Sequence, residues 1–110
     1  MMKFAMSAAA SGLLRALLQR AQVTRDRILL TDWCSTDWQS LTLIGERHRV
    51  QLRIPGPGAR EIANQLTDGI EDAEFRIPGQ IVADIQQSAA SRAMADGSVE
   101  VSIEALTVEE

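Results

Sequence analysis

The segment Thr31-Asp32-Trp33-Cys34-Ser35-Thr36-Asp37-Trp38 concentrates the residue types that can do chemistry. It holds both tryptophans, the only cysteine and two aspartates. Indole rings stack on flat ligands, and Asp32 or Asp37 would fix a polar group beside them. With Arg47 and the only histidine, His48, a little further on, the candidate ligand-binding set is Asp32, Trp33, Cys34, Asp37, Trp38, Arg47 and His48. Cys34 and His48 would make a nucleophile and its base, oriented by Asp32 or Asp37. No helix opens directly after Cys34 to lower its thiol pKa, so no catalytic residue is assigned. A plainer reading needs no ligand and is preferred. Cys34–Asp37 forms a four-residue turn, and Trp33 and Trp38 face each other as a cross-strand pair, which stabilises a hairpin by about 0.5–1.5 kcal/mol. Cys34 then packs as a small residue and His48 sits solvated in a turn.

Other motifs are weaker. Glu46-Arg47-His48-Arg49 is a mixed charged patch suited to a phosphate or carboxylate, or simply a solvated hairpin tip. Gly56 and Gly58 precede a helix, but the phosphate-binding patterns G-x-G-x-x-G and G-K-[ST] are missing, so no cofactor is assigned. One cysteine and one histidine cannot make a structural zinc site in one chain, and no metal is expected. The single cysteine also excludes an internal disulfide and makes the cytoplasm the default location. Aromatic residues make up 4% and the pI is near 4.9, which argues against a nucleic-acid platform.

These residues must be positioned by short elements. The apolar start, Met1 to Leu18, is interrupted by Arg15 and is too short for a membrane span of about 20 residues. Leu13, Leu14, Leu17, Leu18 and Ala21 recur at helical spacing, predicting a helix over 8–22 with Ser7 or Ser11 as its N-cap. No membrane partner is expected. Strands are predicted at 28–33, 38–44 and 49–54, with Gly45-Glu46-Arg47-His48 as the turn between the last two. In the last of these, Val50, Leu52 and Ile54 alternate with Arg49, Gln51 and Arg53. Pro55-Gly56-Pro57-Gly58 ends it, and Ile62, Ala63, Leu66 and Ile70 predict a second helix over 59–70 with Gly69 near its C-cap. Further strands are expected at 73–77, at 81–90, where Ile81, Ala83 and Ile85 alternate with Val82, Asp84 and Gln86, and at 99–105, the last two joined at Asp96-Gly97. Residues 107–110 should fray.

The order α-βββ-α-βββ gives an α+β two-layer sandwich. A mainly antiparallel sheet of about six strands carries two amphipathic helices on one face. A small, partly closed barrel is the alternative. The 110 residues suit one domain, 1–110, with residues 1–7 as a disordered end. Arg53-Ile54-Pro55-Gly56 recurs as Arg76-Ile77-Pro78-Gly79. The two copies fall at different places in the order, so they read as one local stop used twice.

The net charge of −4 conceals a split. Residues 1–60 hold nine basic and four acidic side chains, hence +5; residues 61–110 hold two and eleven, hence −9. Arg49 and Arg53 share the wet face of one strand, Glu100 and Glu104 that of the last. These four are the candidate interface residues, neutralised either within one sheet or between two molecules.

Thr31-Asp32-Trp33 through Gly45-Glu46-Arg47-His48, with Asp96-Gly97-Ser98 and Ile103-Glu104-Ala105-Leu106-Thr107, resembles small uncharacterised bacterial proteins of alphaproteobacterial type. The resemblance covers about residues 24–110. It implies a standalone small bacterial protein and carries no activity, cofactor or catalytic residue.

The expectation is therefore a non-enzymatic binding or assembly module that forms a homodimer. The alternative is a small-molecule site or enzyme around Trp33, Cys34, Trp38 and His48. Nucleic-acid binding through Arg47, Arg49, Arg53 and Arg60 comes last.

Overall fold

The computed structural model describes residues 6–110. The expected disordered end therefore lies, for residues 1–5, outside the described residues. Helix α1 spans Ala8–Ala21, and α2 spans Ala59–Thr67. Four strands follow the order β1 (Leu29–Gln39), β2 (Ile44–Ile54), β3 (Gln80–Ala93) and β4 (Val99–Glu109). They form one open antiparallel sheet in the order β1-β2-β4-β3. The chain is thus an α-β-β unit followed by a second, and the strands nearest the middle, β2 and β4, pair with each other.

The α+β class, the antiparallel sheet and the two helices agree with the sequence. The six strands and the barrel do not. Leu29–Gln39 is a single strand, and Cys34-Ser35-Thr36-Asp37 is its middle rather than a turn. The real turn is Ser40 to Leu43, where the Ser40 and Leu43 backbones bond and the Ser40 hydroxyl accepts from the Leu43 N–H at 3.2 Å. The turn therefore falls inside the strand predicted at 38–44, and pairing along the whole of β2 holds Cys34–Asp37 extended. Gly45-Glu46-Arg47-His48 likewise lies inside β2. The segment 73–77 makes only an isolated bridge, Ile77 with Gln80. Helix α2 stops at Thr67, and Ile70–Asp72 forms a separate 3₁₀ turn. The last strand does not fray at Thr107 and Val108, both of which are buried.

Local rules explain much of the rest. Ser7 caps α1, its hydroxyl accepting from the Ala10 N–H at 3.1 Å. Gly97 takes φ +87°, a conformation that suits glycine, and turns β3 into β4. Both helices cover one face of the sheet. Their Leu13, Leu17, Ile62 and Leu66 meet Val50, Leu52, Ile54, Val101 and Ile103 in one buried cluster.

Bulges keep the faces sorted. In β1 the register shifts between Leu30 and Asp32, so Thr31 is extra and both Leu30 and Trp33 point to the core side. In β3 it shifts between Val82 and Asp84. Ile81 and Ile85 therefore lie on opposite faces, and the unbroken alternation expected for 81–85 does not hold. Among the described residues, nothing covers the face away from the helices.

Candidate functional site

The structure divides the candidate ligand-binding set between the two faces. Asp32, Cys34, Trp38 and Arg47 stand on the open face; Trp33, Asp37 and His48 stand on the helix side. Trp33 and Trp38 are five positions apart in one strand, so period two sends them opposite ways. They are not a cross-strand pair: Trp33 faces Val50, and Trp38 faces Gly45. Cys34 is exposed and His48 is fully buried on the other side. The register pairs Cys34 with Arg49 and His48 with Ser35. The sheet therefore separates the supposed nucleophile from its base.

His48 is not a solvated turn residue. It anchors a buried polar chain. Trp33 Nε1–H donates to Ser35 Oγ at 2.8 Å, Ser35 Oγ meets His48 Nδ1 at 2.7 Å, and His48 Nε2 meets Thr107 Oγ1 at 2.9 Å. The Trp33 and His48 rings pack edge to face, with centroids 5.8 Å apart and planes at 63°. Thr107 is fully buried, and among the described residues its hydroxyl has no side-chain hydrogen bond other than that to His48. We therefore assign its hydrogen to Nε2, an assignment that leaves the imidazole proton on Nδ1, donated to Ser35. Ser35 Oγ then accepts twice, and Ser35, half-buried, keeps its own hydrogen for solvent. Burial holds the His48 pKa below its usual 6.5, outweighing the pull of nearby Glu46 in the other direction. Ser35 and Thr107 escaped the sequence reading. The signal was present: Thr107 continues the inward series Val99, Val101, Ile103 and Ala105, just as His48 continues Val50, Leu52 and Ile54.

Asp37 and Glu46 face each other across β1 and β2, a like-charge pair. They line a hollow at the N-terminus of α1 with Ser7, Ala8 and Ala9. The partial positive charge there favours carboxylates, and the Ser7 hydroxyl donates to Glu46 at 2.5 Å. Glu46 thus buttresses the Ser7 cap, while Asp37 lines the same hollow, exposed and, among the described residues, without a side-chain hydrogen bond.

The four candidate interface residues share the open face. Register sets Arg49 opposite Glu104 and Arg53 opposite Glu100 on the adjacent strand. Arg53 makes its ion pair with Asp96 at 3.6 Å, and Glu100 makes its own with Arg92 at 3.1 Å. The Ser98 hydroxyl and N–H bond to the Asp96 carboxylate and hold its pKa below the usual carboxylate value, with Arg53 adding to the effect. Arg49 and Glu104 have no ion-pair partner among the described residues. They line a shallow polar depression of about 240 Å³ with Asp32, Gln51, Ser88 and Ser102.

One end of this face is apolar. Trp38, Gly45, Val108 and Ile81 form one row across all four strands. The exposed turn residues Leu41 and Leu43 follow Trp38 in the chain, while exposed Ile44 points to the helix side, beside Asp37 and Glu46. Gly45 is required by space, since a Cβ there would stand 2.0 Å from the Thr107 carbonyl oxygen. Arg60 belongs to α2 on the far side, so the arginines considered for nucleic acid do not share a surface. A wider hollow of about 620 Å³ lies beside the start of β3, around Phe75, Ile77 and Ile81. No cluster of three or more His, Cys, Asp or Glu side chains among the described residues could hold a metal. No described helix is long and apolar enough to cross a membrane.

No protein-family model matches the chain, and a search of the curated proteins finds no match either.

Proposed function

We propose that this chain is a non-enzymatic assembly module of the cytoplasm that self-associates through the open face of its sheet. One observation carries the reading. The helices cover a single face, and the uncovered face juxtaposes a column of arginines on β2 with a column of glutamates on β4, closed at one end by Trp38 and Ile81. A surface that carries both signs in adjacent columns is complementary to itself. The bulged edge strands support a face rather than an edge as the contact. β3 has three register shifts and β1 one, and such irregularities discourage strand addition. The separation of Cys34 from His48 removes the motive for the enzyme reading.

The test is sedimentation velocity at about 50 mM and about 1 M salt. The expected outcome is a dimer that shifts toward monomer in high salt, because exposed charges are screened within about 3 Å at 1 M. A monomer under both conditions, at concentrations up to about 100 μM, removes the proposal.

A further inference from the structure

The register of the sheet selects one of the two symmetric ways to lay this face on a second copy. β2 and β4 run side by side along its middle, with β1 outside β2 and β3 outside β4. A two-fold axis running across the strands would set β2 on the partner's β2, arginine on arginine, and β4 on the partner's β4, glutamate on glutamate. An axis parallel to the strands, above the seam between β2 and β4, sets β2 on the partner's β4 instead. Each residue then lies over its own register partner in the other copy. Arg49 meets the partner's Glu104, Arg53 the partner's Glu100, and Trp38 the partner's Ile81. Arg47 comes down beside the partner's Leu106 and the partner's Asp84.

We infer that the chain forms a two-fold dimer of this second kind, sheet on sheet, with Arg49 and Glu104 crossing at its centre. The inference rests on the self-association reading and specifies its partner, a second copy, and its orientation. Three features support it. The pair Arg49 and Glu104 sits midway between Gly45–Val108 and Ile54–Val99, the ends of the β2–β4 pairing. Stacked sheets cross at about 30° because of their twist, and contacts near the crossing point are displaced least. Among the described residues these two side chains also have no ion-pair partner, whereas Arg53 and Glu100 do. Finally, four strands about 4.8 Å apart, paired over about eleven residues at about 3.3 Å each, present about 700 Å², close to the roughly 800 Å² per partner of a stable interface.

The test uses two charge reversals, R49E and E104R, in the full chain. Both positions are on the solvated face, and circular dichroism checks that each variant folds. Alone, each variant sets like charges against each other twice in the dimer, and self-association should weaken on the order of 100-fold. Mixed in equal amounts, the two variants are complementary at both crossings, so a heterodimer should form while neither variant dimerises by itself. Native mass spectrometry reads this directly, because the two variants differ in mass. A second readout uses the unaltered chain. Cys34 faces the partner's Gln86 in this arrangement, so its thiol should react more slowly with a maleimide as the protein concentration rises through the dimer range. If the native chain dimerises but the mixture does not, or Cys34 stays equally reactive, this orientation is wrong and self-association uses another surface. If the native chain is monomeric, the self-association reading fails first.

Discussion

Replacing Thr107 by valine probes the buried polar chain with almost no change of shape. Thr107 is fully exposure-free and touches His48 Nε2 at 2.9 Å. Valine keeps the β-branched outline and removes the hydrogen that Nε2 accepts. The imidazole then retains a buried lone pair with no partner, at a cost of about 1–3 kcal/mol. The new methyl group recovers part of this, at most about 0.8 kcal/mol. The net expectation is a loss of about 1–2 kcal/mol, or roughly 5–8 °C in Tm for a domain of this size. Ser35→Ala gives the comparison. It removes an acceptor from two donors, Trp33 Nε1 and His48 Nδ1. Ser35 is half-buried, so water can take its place, and the loss should be smaller than for Thr107→Val. Urea denaturation followed by tryptophan fluorescence measures both. A neutral or stabilising Thr107→Val, or a Ser35→Ala variant that is the weaker of the two, would refute the hydrogen assignment along this chain.

Two further predictions follow from the same region. Because burial lowers the His48 pKa in the folded state, the unfolded chain binds the proton first as pH falls below about 6.5, so stability should fall with pH from there down to the folded-state pKa. The double variant H48L/T107V, which removes both buried partners together, should flatten this part of a stability–pH profile; an unchanged slope assigns the effect to other groups. Gly45→Ala forces a Cβ against the Thr107 carbonyl, which belongs to the backbone of β4 and cannot rotate away. It should cost about 1–3 kcal/mol, seen as a lower urea midpoint, and a wild-type midpoint would mean that β4 yields easily.

Legibility followed the apolar residues. Val50, Leu52 and Ile54 point inward as their alternation requires, Ser7 caps α1, and Gly97 turns the second hairpin. The errors came where the inward series is polar. Beyond Trp33 the core side of β1 carries Ser35 and Asp37, because it faces His48 and the N-terminus of α1 rather than hydrocarbon. A strand with polar residues on both faces looks like a turn when only propensity is read. The bulge at Thr31 hid the alternation further, since one extra residue reverses the apparent faces. The same cause made Ile81 look inward. The candidate ligand set failed to assemble for a related reason: its members are close in sequence, and adjacent residues of a strand diverge. Arg49, Arg53, Glu100 and Glu104 could be placed on wet faces from period two alone. That those two faces are neighbours depends on the β2–β4 pairing, which no local pattern encodes.

That pairing also sets how the chain must find its structure. The hairpins β1–β2 and β3–β4 close over short turns and can form locally. The seam joins residues as distant as Gly45 and Val108, and even its nearest pair, Ile54 and Val99, encloses the whole of α2. Its loop-closure entropy is therefore spent once, when two preformed hairpins meet. Lengthening the connection through α2 would raise that cost only slowly, by about 0.6 kcal/mol per doubling. This topology predicts that the slow step is docking one half of the molecule on the other, through Val50, Leu52, Val101 and Ile103, which meet across the seam.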